Sequence, residues 1–567
     1  MQIKKVTITN FRLFKNKTVI DFDEKVTSLV GKNGTGKTAI LEAINLATGF
    51  YFIENKIKED DFNDDKKNIE VIVEFDELFL IKTTDSNKED IKFPSRKIKF
   101  VAKHTERADS GKAFSNPFRT YHHIIPEKYN SVNELNLPDK RNVASRVFEE
   151  SITESDGQRK TILNYEDNDG ARVDITEILY KQTDDLEGFP NVFYFSKNRE
   201  KDLKQGFSTT FQKIVNELNW RFLNKHKKEE SNDYISKWEK FYNYILSKVE
   251  EPKQKKIVQP LHDKVRDILG DKFDKFEISL INLKNPFNQA FFSLRDGEKI
   301  ITLANMGSGE LMIVTYFLLK ITSELSKEAI IFLIDEPELH LHPQLQFRLF
   351  DEIKSSDYQH IFTTHSESFI DMNNWQSIKR FSESGIFPKQ NILKKEFIKN
   401  STTQETQPLK EHLDEIKKCC HDKTVFLREH NELFFSDKSL LVEGANDKYG
   451  LLYLLEKLGC KRPNQLSVIN CLGKGNIPYY QMLCLVFGVD YFVVYDFDKG
   501  GDSESKDQTI KAFGDSNKIF SFEQSFEKVI RKDKLNKILE VIENMDEDKI
   551  PDEINDCCKK INNWLKY

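Results

Sequence analysis

The sequence predicts an α/β protein in two parts. A P-loop nucleotide-binding sheet, interrupted by a helical insertion, precedes a smaller Rossmann-like sheet at the C-terminus. Three observations carry that expectation. Gly31-Lys32-Asn33-Gly34-Thr35-Gly36-Lys37-Thr38 matches GxxxxGK[ST] in full. Ala329 to Pro343 reads AIIFLIDEPELHLHP, six apolar residues running into Asp335-Glu336, as a strand buried on both faces of a parallel sheet does. Lys438 to Asp447 and Tyr491 to Asp498 also run apolar strands into carboxylates, at the edge where open α/β sheets take their ligands.

Composition bounds the rest. A chain of 567 residues has room for three or four domains. With 31% charged and 38% hydrophobic residues it reads as a soluble, folded protein. No apolar run approaches the roughly 18–20 residues of a membrane span, and MQIKKVTITN is no signal peptide. All seven cysteines lie beyond residue 418 and none forms a CxxC pair, so the expected compartment is a reducing cytoplasm. A net charge of −6 excludes a globally basic nucleic-acid binder. Contact with nucleic acid then falls to local basic patches or metal-loaded carboxylates.

Residues 2–31 alternate as strands around Asn10-Phe11-Arg12-Leu13-Phe14 and lead through Val26 to Val30 into the P-loop. A helix with Ile40, Leu41, Ile44 and Leu46 on one face follows. Backbone N–H groups of Asn33, Gly34, Thr35 and Gly36 then close on the phosphates of ATP, aided by the helix N-terminus. Lys37 reaches the β- and γ-phosphates and Thr38 ligates Mg²⁺. At the end of the DEPE strand, Asp335 holds Mg²⁺ and Glu336 polarises the attacking water. His360 to Ser366, HIFTTHS, is a further strand that brings His365 to sense the γ-phosphate. The H-x-H pair His340 and His342 is read as structural, and His122-His123 is unassigned.

The I-x-N-F-R-x-F run, its two strands and the GxNGxGKT loop resemble the ABC-type ATPase heads of the RecF/SMC group. Such heads are split in sequence, which implies a first half over 1–100, an insertion over 101–270 and a second half over 271–400. Within the insertion, Lys103 to Pro117 is a polar loop, and Asn191 to Phe195 is a buried strand belonging to the head. Residues 207–268 read as helices, too short for a long coiled-coil arm, and imply a compact dimerisation module. Lys225, Lys227 and Lys228 read as a solvated face. After strands Phe291 to Leu294 and Lys299 to Leu303 comes Asn305-Met306-Gly307-Ser308-Gly309-Glu310, opening a helix through Leu311 and Leu318. The resemblance implies that Gly307, Ser308 and Gly309 bind the γ-phosphate of a second copy's ATP, although they depart from the LSGGQ-like pattern. The nearest candidate for a Q-loop glutamine is Asp60-Asp61-Phe62.

Ser401 to Pro408 is a polar break and the expected boundary, followed by a helical linker over 401–437 (helices near 409–420 and 423–434). Strand Lys438 to Val442 then ends in Glu443, with Asp447 one helical turn on. Strand Leu466 to Asn470 leads to Gly473-Lys474-Gly475-Asn476, and strand Tyr491 to Tyr495 ends in Asp496-Phe497-Asp498. Alternation puts Asp496 and Asp498 on one side. Acidic groups around such a crevice bind Mg²⁺ or Mn²⁺ through oxygen and suit phosphodiester chemistry. The LLVEG strand, the Gly-Lys-Gly-Asn turn and the D-x-D resemble the Toprim domain of OLD-family nucleases, here over 438–567. That resemblance implies a further glutamate, Glu527 with Glu523 as rival. It also implies a supporting base late in the chain, Lys559 or Lys560. Asp447 stands where the family more often has Glu.

The chain is thus similar to OLD-family proteins of the Gabija-type and retron-associated kinds. The resemblance implies an ATPase with a Mg²⁺- or Mn²⁺-dependent nuclease, at least dimeric, cleaving DNA in antiviral defence under control of ATP. An accessory helicase, or a reverse transcriptase with its non-coding RNA, is an implied partner. Two alternatives remain open: a Toprim that cuts RNA such as tRNA, and a nucleotide-switched sensor that binds without cutting. A topoisomerase or primase lacks its accompanying catalytic domain, and a transporter ATPase does not carry a Toprim.

Overall fold

Residues 2–31 fold as three strands, β1 (Ile3–Thr9), β2 (Thr18–Asp21) and β3 (Val26–Gly31). The computed structural model describes residues 1–566 except 23–24, 50–56, 85–89, 105–117, 154–158, 167–171, 180–185, 198–257, 270–274, 280–290, 297–298, 303–305, 327–328, 401–404, 420–427, 460–465, 498–501, 531–534 and 547–549. Two compact units result: Met1–Thr27 with Gly36–Thr364, and Ser28–Thr35 with His365–Tyr567.

In the first unit, β4 (Ile69–Thr84), β5 (Asp90–His104) and β6 (Phe118–Pro126) are long antiparallel strands. A small sheet of β7 (Phe148–Thr153), β8 (Arg159–Glu166) and β9 (Arg172–Asp174) follows. Then come β10 (Ile178–Leu179) and β11 (Leu186–Glu187). The order β10–β6–β5–β4–β1–β2, with β11 also on β4, makes one seven-stranded sheet. This sheet runs past residue 101, where the first half of the head was expected to give way to the insertion. Ile98 and Phe100 of β5 and Ile124 of β6 bury the same apolar layer as Val71 and Val73 of β4, so the sheet continues past the polar stretch that seemed to end it. Residues 105–117 and the segment 207–257, expected as a loop and helices, lie outside the described residues. The described helix Val258–Leu269 closes that stretch.

The P-loop sheet is parallel at its centre. β12 (Asn191–Phe195) pairs in parallel with β16 (Ile330–Asp335), and β16 with β17 (Gln359–Thr363). Between β12 and β16 lie an antiparallel triplet, β13 (Lys275–Ser279), β14 (Phe291–Asp296) and β15 (Lys299–Thr302), and the helix Ser308–Ser326. Ile330 to Ile334 are at most 2% exposed, as an apolar run covered on both faces must be. In the second unit, β3 pairs in parallel with β18 (Ile378–Ser382), and β18 pairs antiparallel with β19 (Gly385–Phe387).

The second unit begins earlier than the boundary expected at 401. Its cause is Arg380 on β18, 2% exposed. The guanidinium donates to the carbonyls of Phe434 (3.2 Å), Ser436 (2.7 Å), Phe487 (2.9 Å) and Gly488 (3.3 Å), and to Asp437 Oδ1 (3.3 Å). Ser401 to Pro408 is in part the strand β21 (Glu405–Pro408), paired with β20 (Glu396–Asn400). A helix Leu409–Cys419 and a 3₁₀ run Arg428–Phe435 follow, the latter where a helix over 423–434 was expected. Strands β22 (Lys438–Val442), β23 (Leu466–Asn470), β24 (Asp490–Asp496) and β25 (Ile519–Phe522) form a parallel sheet in the order β23–β22–β24–β25. Alternation splits its core in two. Leu441, Ile469, Tyr491, Val493 and Tyr495 pack on the helix Ile477–Phe487. Leu440, Val442, Val468, Phe492 and Val494 pack against Leu451, Leu454 and Leu455 of the helix Ala445–Lys457.

Candidate functional site

The nucleotide site is built where β3 turns into the helix Lys37–Thr48. Gly31 has φ +127°, and a Cβ there would lie 2.1 Å from the carbonyl oxygen of Phe381. No other residue fits between the P-loop strand and β18. Around the loop, the I-x-N-F-R-x-F motif acquires a physical meaning. Asn10, fully buried, donates to the carbonyls of Asp64 and Lys67 and accepts from Asp64 N–H, fixing the 61–67 loop. Arg12 pairs with Asp61 (2.8 Å) and with Glu42 on the helix. Asp61, within the candidate Q-loop stretch Asp60-Asp61-Phe62, is therefore tied through Arg12 to the helix that leaves the P-loop.

Lys37 is 5% exposed. Burial pulls its ammonium down to about 8, against the attraction of Glu336, Asp335 and Glu338. Asp335, at the end of β16, accepts from the Thr38 hydroxyl (3.0 Å) and the Thr363 hydroxyl (2.6 Å). A hydroxyl and a carboxylate thus share one point, a donor set that fits Mg²⁺. Glu336 sits at φ +51°, with its N–H held by Thr363 Oγ1 (3.0 Å). That positive φ turns the chain out of β16 at the residue expected to face the attacking water. His365 follows directly on Thr364 beyond β17 and is exposed, as are Asn33 and Gly34.

Gly307, Ser308 and Gly309 open the helix Ser308–Ser326, with Gly307 exposed. A Cβ on Gly309 would meet the His340 carbonyl oxygen at 2.6 Å. This glycine therefore serves helix packing as well as any phosphate. His340 has φ +63° in that turn, and His342 is the N-cap residue of the helix Pro343–Ser355.

The second centre lies within the second unit, at the carboxyl edge of β22 and β24. Glu443 leaves β22 and Asp496 ends β24, and Asp496 N–H donates to Glu443 Oε2 (3.3 Å). Asp447 accepts from Gly444 N–H (2.9 Å) one turn into the helix. Glu527 accepts from Asn446 (2.9 Å), and Phe526 N–H donates to Asp496 Oδ1 (3.1 Å). Four of the expected carboxylates are thereby brought together. The rival Glu523 is exposed, and its N–H bonds to Glu553. Asp498 lies outside the described residues. Burial, then the charges of Asp496, Glu527 and Glu443, push the Asp447 carboxyl up to about 8. Among the described residues, no three His, Cys, Asp or Glu side chains already close on a metal position. An all-oxygen set this crowded nonetheless fits a divalent cation, which would relieve the repulsion.

The late lysines are not brought to this edge by the contacts they make. Lys559 pairs with Asp556 at 4.0 Å, and Lys560 lies over the Phe520 ring. Among the described residues, Lys474 is a cation that does reach it: its ammonium donates to the Asp496 carbonyl (2.8 Å). A second contact was also not legible in the sequence: Lys32 of the P-loop pairs with Asp437, the residue that precedes β22. Both join residues far apart in the chain, with no local pattern to announce them.

A P-loop sheet and a parallel sheet edged by carboxylates define an ATPase–Toprim protein. The AAA ATPase domain family model matches residues 1–370, and that of the Overcoming lysogenization defect protein-like TOPRIM domain matches residues 434–498. The chain belongs to the AAA ATPase domain family and carries an OLD-like TOPRIM domain after it. It is similar to an OLD nuclease of Thermus scotoductus, 24% identical over 55% of this chain and 63% of that protein. The endonuclease GajA of Bacillus cereus is 21% identical over 89% of this chain and 75% of its own length. A retron Vc95 probable ATPase of Vibrio cholerae is 24% identical over 68% and 74%. This chain thus spans less than two thirds of the first of these relatives. Among the described residues, no helix is long and apolar enough to cross a membrane.

Proposed function

We propose that this chain is an ATP-hydrolysing, metal-dependent nuclease that cuts DNA in antiviral defence, acting in the cytoplasm as at least a dimer. The observation that carries the cleavage reading is the gathering of Glu443, Asp447, Asp496 and Glu527 at one sheet edge, where burial first and then the neighbouring charges raise Asp447 to about 8. Glu443, Asp496 and Asp498 are the catalytic ligands, with Asp447 and Glu527 completing the set. Mg²⁺ or Mn²⁺ bound there would activate water and stabilise the leaving oxygen. The names of the OLD nuclease and the endonuclease GajA support this reading. An accessory reverse transcriptase with its RNA, or a helicase, is the proposed partner; the similarity to a retron probable ATPase is consistent with the first.

In the ATP site, Lys37 and the amides from Asn33 to Gly36 bind the phosphates. Thr38 and Asp335 hold Mg²⁺, Glu336 orients the water and His365 reads the γ-phosphate. Gly307, Ser308 and Gly309 of a second copy complete the site and make hydrolysis depend on dimerisation. The Lys32–Asp437 pair supports coupling between nucleotide and nuclease, because Asp437 also takes Arg380 and accepts Asp490 N–H (2.9 Å) at the start of β24.

Supercoiled plasmid and total RNA, each incubated with the protein in Mg²⁺, Mn²⁺ or EDTA, test the reading. Nicking of plasmid that disappears in EDTA is expected. Cleavage of RNA alone would replace the DNA substrate, and metal-dependent cleavage of neither would overturn the nuclease.

A further inference from the structure

Lys474 is a buried cation with no place in the roles given above. It is 5% exposed, at the turn after β23, and its ammonium meets a carboxylate, a carbonyl and an aromatic ring. Asp507 Oδ1 is 2.5 Å away, from a side chain itself 3% exposed on the helix Asp502–Phe513. The Asp496 carbonyl oxygen is at 2.8 Å, and the Tyr495 ring centroid lies at 5.0 Å. The next N–H, of Phe497, donates to the Phe522 carbonyl (2.8 Å). One peptide plane, between Asp496 and Phe497, is therefore held at both ends, by Lys474 on its oxygen and by β25 on its nitrogen.

That plane sets how the chain leaves β24, and with it the direction of the Asp496 carboxylate. A surface lysine could not do this, since an exposed pair is weak and leaves both side chains free to move. A desolvated ammonium bound to a buried carboxylate and a carbonyl has one position. The same cation clamps the helix that resumes the chain at Asp502, so both flanks of the D-x-D segment answer to one side chain.

We propose that Lys474 is a positioning residue for the carboxylate centre: anchored by Asp507, it holds the Asp496 peptide so that the acidic set can bind a divalent cation. This rests on the nuclease reading only where cleavage is measured. Outer partners of metal ligands typically govern about 10–100-fold in metal affinity or rate.

The test is Mn²⁺ binding, by electron paramagnetic resonance of the free ion, to the full chain without nucleic acid. Lys474→Met with Asp507→Asn removes both charges together, so no buried ion is left unpaired. This double variant should keep wild-type ATP hydrolysis while its Mn²⁺ half-saturation rises about tenfold or more. Asp507→Asn alone leaves the ammonium on the Asp496 carbonyl and should shift it by only about threefold, a fraction of that range. Wild-type Mn²⁺ binding in the double variant overturns the proposal, as does a single variant equal to the double. Should the double variant fail to fold, Asp507→Asn decides alone: the threefold shift supports the role, and no shift overturns it. A wild-type protein that binds Mn²⁺ but cuts nothing counts against the nuclease, not against Lys474.

Discussion

Asp447 shows what a single residue contributes when like charges meet. Its carboxyl, 3.8 when unperturbed, is raised to about 8 by burial and by three neighbouring carboxylates. A group raised in the folded state is neutral there while the unfolded chain has already lost the proton. The folded state therefore loses stability as pH rises from 3.8 towards 8. Asp447→Asn removes the charge and should make the metal-free protein more heat-resistant than wild type at pH 8, with the difference vanishing near pH 4, about the unperturbed carboxylate value. Thermal melts in EDTA at several pH values check this, and a pH-independent difference would contradict it. His360 shows the opposite economy. Buried between the Tyr316 hydroxyl (3.0 Å) and the Tyr358 carbonyl (3.0 Å), it is pulled down to about 3 and stays neutral.

At the scale of elements, β18 is held in the second unit by Arg380. Burial pulls down the pKa of its guanidinium, yet it satisfies four carbonyls and Asp437. Arg380→Met would leave those acceptors buried without a donor, and should cost the second unit about 3–5 kcal/mol. Denaturant unfolding reads the loss, and a cost under about 1 kcal/mol, the scale of an ordinary surface change, would contradict it. This is also where legibility in the sequence ended. The P-loop, β16, β17, β22 and β24 were legible because each is an apolar run that meets chemistry at its end. β6 was hidden because the polar residues 105–117 interrupt the alternation that links it to β5. Arg380, Lys32 and Lys474 act through partners 21 to more than 400 residues away in the chain, and periodicity reports only neighbours.

For the whole molecule, the question is how nucleotide reaches the carboxylate centre. Inside the second unit, Lys32 of the P-loop holds Asp437, and Asp437 leads into β22 and bonds to the start of β24. A nucleotide shifts this arrangement only by its differential affinity for the two states. Lys32→Ala should therefore leave cleavage present while flattening its dependence on ATP. Cleavage rates across an ATP titration measure it, and an unchanged dependence would remove Lys32 from the coupling. Gly307→Asp is the companion variant for the second copy's contribution, since Gly307 is open to solvent whereas Gly309 packs on His340.

The claim on which all of this stands is that one chain carries two separate chemistries, phosphate hydrolysis around Lys37 and Asp335 and cleavage around Glu443 and Asp496. The direct measurement is a crossed assay of ATP hydrolysis and plasmid cleavage in Mg²⁺ or Mn²⁺ on three variants. Asp496→Ala and Glu443→Ala should abolish cleavage with ATP hydrolysis near wild type. Glu336→Gln should lower ATP hydrolysis by about 10²–10⁴, the worth of a general base, while ATP still binds. Cleavage that survives in Asp496→Ala, or ATP hydrolysis at the wild-type rate in Glu336→Gln, would contradict the account.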